Sequence, residues 1–119
     1  MNDFVYSLCD KNAKEIDRVY IFECKKKNRF KTIYKRINFD IILEKTKTLT
    51  ICLLEYIKYH EKNSIIYIEI KETLEKNLDL INKIFRDNQN EKIFRKDYLD
   101  NHIEEIVFNL KYICELCNN

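Results

Sequence analysis

Apolar positions along this chain change their period several times, and each change marks an element. From Phe39 the spacing is helical: Phe39, Leu43, Thr46, Thr50, Leu53, Ile57 and His60 recur at intervals of 4, 3, 4, 3, 4 and 3, with Ile42 and Leu49 widening the stripe. Leu74, Leu78, Ile81 and Phe85 repeat at 4, 3 and 4 and predict a second helix, followed by a polar loop from Arg86 to Lys92. Leu99, Ile103, Ile106, Leu110, Ile113 and Cys117 then run 4, 3, 4, 3, 4, with Asp97 placed to cap the helix they predict. Residues 3–14 give a further helix, with Asp3 as N-cap and Phe4, Val5, Leu8 and Cys9 apolar.

Three segments lack that period. Residues 18–24, Arg18 to Cys24, are rich in β-branched and aromatic types and predict a strand. Residues 29–37 alternate and predict its hairpin partner, with Asn28 as the residue best suited to the turn. Residues 64–70, Ser64 to Ile70, are almost continuously apolar and predict a strand buried on both faces. The order α-β-β-α-β-α-α gives an α+β fold, a small antiparallel sheet of one hairpin and a third strand packed against three to four amphipathic helices. An all-helical bundle bearing one hairpin is the alternative. No repeat, low-complexity tract or linker interrupts the pattern, so residues 1–119 are expected to form one domain.

Charge changes this picture, because it is unevenly placed. Lys25, Lys26, Lys27, Arg29, Lys31, Lys35 and Arg36 bring seven cations and no anion into twelve residues. Elsewhere 15 basic residues face 20 acidic ones, so +7 sits on a body of −5, which the net charge of +2 conceals. On a hairpin, Arg29, Lys31 and Lys35 would project from one face, and Phe30, Thr32, Tyr34 and Arg36 from the other. Cations would meet phosphates there while Phe30 and Tyr34 stacked on bases, as in single-strand binding. A solubilising hairpin tip, with its aromatics packed on the helices, is the bland reading of the same residues.

Composition excludes several activities. The chain has no glycine and no proline. Average usage would supply about 7% and 5%, and the abundance of Lys, Asn and Ile, whose codons are A/T-rich, points to an A/T-biased genome. Without glycine there is no P-loop, dinucleotide fingerprint, nucleophile elbow, kinase glycine loop or KH clamp. The longest apolar run, Val19 to Phe22, is far too short to cross a bilayer, and the N-terminus shows no secretory signal, so a cytoplasmic, reducing setting without a membrane partner is expected. Five cysteines, an odd number, read there as free thiols.

Candidate chemistry is sparse. Cys114-x-x-Cys117 has no second ligand pair to complete a zinc site, and it closes a helix where the dipole disfavours thiolate, so core packing is the expectation. Cys52 and His60 stand about 12 Å apart along one helix, too far for a nucleophile and its base. His102 borders Glu104 and Glu105 and reads as a surface histidine. Glu69-Ile70-Lys71 resembles the carboxylate-x-lysine element of restriction-endonuclease-like nucleases, which implies a metal-holding acid at the end of a strand. That family takes another acid from a neighbouring strand, whereas the preceding acids here, Asp40 and Glu44, lie on a predicted helix. Leu53 to His60 is similar to the helix that follows the sheet in Skp1-like and elongin-C-like adaptors, but the helix that those place before it is missing.

The residues therefore point to a small non-enzymatic binding or regulatory protein, with no cofactor, metal or catalytic group assigned. Helix faces would meet a protein partner, and Lys25–Arg36 would contact an anionic one, RNA foremost and DNA as its variant. The alternative is a protein-directed adaptor, inhibitor or immunity-type factor with no nucleic-acid role.

Overall fold

A computed structural model describes residues 3–20, 33–60, 64–89 and 96–118. Four helices carry them: α1 Asp3–Val19, α2 Ile33–His60, α3 Ile65–Gln89 and α4 Lys96–Asn118. Among the described residues there is no strand, which overturns the expected α+β fold with its antiparallel sheet.

Where the described residues reach the predicted strands, they are not strands. Arg18 and Val19 end α1, where Arg18 sits in the last turn beside the negative end of the helix dipole; Tyr20 follows and is buried; residues 21–24 lie outside the described set. Ile33 to Ile37 open α2, so the alternation expected of a hairpin arm is not realised there, and residues 25–32, with Asn28, lie outside the described residues. The apolar run from Ile65 opens α3. The Ser64 carbonyl accepts the first helical hydrogen bond from the Ile68 amide at 3.1 Å, as an N-cap residue does. Ile65 is 82% exposed and Ile68 is exposed too, whereas Ile70 is buried and starts a stripe through Leu74, Asn77, Ile81 and Ile84. A continuous apolar run thus held the first turns of a helix, since β propensity yields to tertiary context.

Most described members of the predicted helical stripes enter the core, although Phe4 is exposed and Leu8, Leu49, Leu78 and Phe85 are half-buried. On α2, Leu43, Thr46, Thr50, Leu53 and Ile57 are buried; on α4, Ile103, Ile106, Leu110, Ile113 and Cys117 are buried. Three threonines sit at core positions without an orphan hydroxyl, because Thr46, Thr50 and Thr73 donate to the carbonyls of Ile42, Thr46 and Glu69 one turn earlier.

Close backbone approaches run from α1 to α2, α2 to α3, α3 to α4 and α4 back to α1, with none across the diagonals among the described residues. This is an up-down-up-down four-helix bundle, 46 Å long and about half as wide. Polar layers set the register of two seams. Between α3 and α4, Asn77 donates to the Ile106 carbonyl at 3.2 Å and accepts from the Asn109 amide at 2.8 Å, while the Tyr112 hydroxyl donates to Glu69 further along. Between α1 and α2, the Asn12 amide donates to the Thr46 hydroxyl at 3.1 Å. The α1–α2 seam is the most sparsely packed of the four.

Candidate functional site

That sparse seam opens into a cleft of about 580 Å³, within the range of ligand-binding clefts. Leu8 from α1 and Ile41, Leu49 and Cys52 from α2 form its apolar wall, with Thr48 between them. The rim carries two cations, Lys11 and Lys45, and two anions, Glu15 and Glu44. Lys45 reaches Glu15 across the seam at 3.2 Å, and the Phe4 and Tyr56 rings meet at 4.8 Å nearer one end.

Asn12 lies in the cleft lining and is 5% exposed. Its amide nitrogen is satisfied by Thr46, but its Oδ1 is buried and has no hydrogen-bond partner among the described residues. Leaving a buried acceptor unpaired costs about 1–3 kcal/mol, so this layer is stabilised by only half of its potential.

The cleft follows from an unusual α2. A surface helix of a bundle carries one apolar stripe and an opposite polar face. On α2 apolar residues surround the axis: Ile42, Leu43, Leu53 and Ile57 are buried, while Ile41, Ile51, Cys52 and Tyr59 are exposed. Tyr59, 68% exposed, stands close in sequence to Ile65 and Ile68 at the start of α3, where Leu54, Ile57, Lys58, Tyr67, Ile68 and Lys71 line a smaller recess of about 340 Å³.

Of the residues that the sequence puts forward for nucleic acid, Tyr34, Lys35 and Arg36 lie at the start of α2, while Lys25, Lys26, Lys27, Arg29, Phe30 and Lys31 fall outside the described residues. Glu69 and Lys71 stand two positions apart on a helix, about 200° around its axis, so they do not share the face that a strand end would give them. Glu69 accepts the Tyr112 hydroxyl instead.

Three of the thiols are packing groups. Cys9, Cys114 and Cys117 are buried, and Cys114 Sγ donates to the Tyr6 carbonyl at 3.7 Å. Burial pushes the Cys114 thiol up to about 11, with Asp10 and Cys117 adding to the rise, and burial raises Cys9 and Cys117 as well. All three stay protonated and inert at neutral pH. Cys52 on the cleft wall is exposed, and His102 on α4 is half-buried. Among the described residues, no group of three or more His, Cys, Asp or Glu side chains is placed to hold a metal ion, and no helix is long and apolar enough to cross a membrane.

Sequence reasoning missed this cleft. Its signal was a second stripe on α2, displaced by two residues from the core stripe. No known protein family describes the chain, and neither a curated protein nor a solved structure matches it.

Proposed function

We propose that this chain is a small non-enzymatic binding or regulatory protein that receives an amphipathic helix of a protein partner on its α1–α2 face. One observation carries the reading: exposed Ile41 and Cys52, with half-buried Leu49 at the edge of the core, line an open cleft beside α1. Grooves of this kind take helices that present apolar anchors at i, i+4 and i+7. Balanced rim charge favours a partner bearing both signs. Cys9, Cys52, Cys114 and Cys117 are free thiols, which supports a reducing, cytoplasmic setting. An environment-sensitive dye on Cys52, in a Cys24→Ser background, should respond to a panel of amphipathic helical peptides, and Ile41→Glu should remove the response. A dye indifferent to every peptide contradicts the proposal.

A second reading rests on charge segregation. The first turn of α2 carries Lys35 and Arg36 and no acidic residue, at the positive end of its dipole. Such cations oppose helix stability by about 0.3–1 kcal/mol each, so their placement suits contact with an anion, RNA foremost. Titration of single-stranded RNA against salt should give a log–log slope of about −0.7 per phosphate engaged, and Lys25→Ala, Lys26→Ala, Lys27→Ala and Arg29→Ala combined should flatten it. Affinity independent of salt rules out this reading.

A further inference from the structure

Ile41, Lys45, Thr48, Cys52, Glu55 and Tyr59 are all exposed, and they recur on α2 at intervals of 4, 3, 4, 3 and 4. Each of the last five lies two residues beyond a member of the buried stripe Leu43, Thr46, Thr50, Leu53 and Ile57. Two residues are about 200° of helix, so this second stripe stands diametrically opposite the core. Exposed Ile41, Ile51, Cys52 and Tyr59 give that side an apolar content that a wholly solvated helix face lacks.

The order of residues along the stripe is self-complementary about residue 50. Laid antiparallel against itself, it sets Ile41 opposite Tyr59 of the second copy, Lys45 opposite Glu55 and Thr48 opposite Cys52, and each pairing occurs twice by symmetry. A parallel arrangement would set Lys45 on Lys45 and Glu55 on Glu55, so like charges select the antiparallel one. Lys45 has a side chain 64% exposed even while it meets Glu15 of its own chain, and so remains available to a carboxylate across the seam. The cleft rim beside the stripe, with Lys11 and Lys45 against Glu15 and Glu44, sums to zero and does not repel a copy of itself. We infer that the partner of this face is a second copy of the chain, joined through antiparallel α2–α2 packing about a two-fold axis near residue 50. The inference rests on reading the outer face of α2 as a contact surface and names what covers it.

Such an interface is isologous, the usual form of a homodimer. From Ile41 to Tyr59 the seam is about 27 Å long. That places it toward the small end of specific interfaces, with a dissociation constant of micromolar order or weaker.

Sedimentation equilibrium of the full chain over a wide concentration range tests the assignment. The unmodified chain should dimerise reversibly. Lys45→Glu and Glu55→Lys should each weaken the dimer at least about tenfold, since both turn two attractive pairs into repulsive ones. The combined Lys45→Glu/Glu55→Lys chain should return to within about threefold of the original, a rescue expected only of this register. A chain that stays monomeric throughout, or a dimer indifferent to the single substitutions, overturns the inference. If the chain is monomeric while a dye on Cys52 still answers to amphipathic helices, only the second copy is excluded. If that dye is silent as well, the contact-surface reading fails with it.

Discussion

The two hairpins of the bundle solve the same problem differently. Between α3 and α4, Asn77 is fully buried, donates to Ile106 and accepts from Asn109, so its amide is satisfied at both ends. Between α1 and α2, Asn12 has its amide nitrogen satisfied by Thr46 while its Oδ1 is buried without a partner among the described residues. The first seam is closed and carries stability. The second is open, half-satisfied and flanked by exposed apolar side chains, which is the condition of a surface that waits to be covered.

Removing the two asparagines should separate these roles. Asn77→Ala is expected to lower stability by about 2–4 kcal/mol, because it empties a fully buried position and removes both hydrogen bonds that join α3 to α4 there. Asn12→Ala should cost about 1 kcal/mol or less, since the Thr46 hydroxyl keeps its bond to Ile42 and the unpaired Oδ1 disappears. Urea midpoints at equal slope measure both. Equal losses would break the comparison.

Alkali should act on α4, at Cys114 where it meets α1 and at Tyr112 where it meets α3. The Cys114 thiol titrates at about 11 in the fold against an ordinary value of 9.0, so the native state holds its proton longer than the unfolded chain does. The associated stability is whole below pH 9 and is lost as pH rises toward 11. Tyr112, raised by its hydrogen bond to Glu69, moves stability in the same direction above its ordinary value of 10.0. Thermal melts in this window should show a shallower decline in Cys114→Ala than in the parent. Iodoacetamide at neutral pH should alkylate Cys52 in the folded chain and leave Cys9, Cys114 and Cys117 intact, as peptide mapping would read.

The smallest expected effect is the most informative about the open side. Ile41 is 54% exposed, so Ile41→Glu should change stability by no more than about 0.5 kcal/mol while abolishing association. A large loss of stability would mean that Ile41 belongs to the core.

Much of the bundle was legible in the sequence, and the failures have physical causes. The stripes on α2 and α4 are strictly periodic, and their described members are buried apart from half-buried Leu49. Residues 64–70 misled because four isoleucines and a tyrosine mimic a strand, although Ile70 already shares the period of Leu74, Asn77, Ile81 and Ile84. Asn77 and Asn12 carry no apolar signal and could not be assigned to the core from periodicity. The α1–α2 cleft is not legible from the core stripe, to which Ile41, Thr48 and Cys52 do not belong; two residues out of step, with Lys45, Glu55 and Tyr59, they form a stripe of their own. The charge pattern of Lys25–Arg36 was plain, but the hairpin built on it fails where α2 begins at Ile33.

Hydroxyl-radical footprinting of dilute and concentrated protein tests the central claim most directly, because Phe108 on α4, 67% exposed, serves as a control beside Ile41 and Tyr59 on α2. The account predicts that oxidation of Ile41 and Tyr59 slows as concentration rises while that of Phe108 does not change. Rates for all three that stay equal at every concentration, or protection at Phe108 alone, would contradict it.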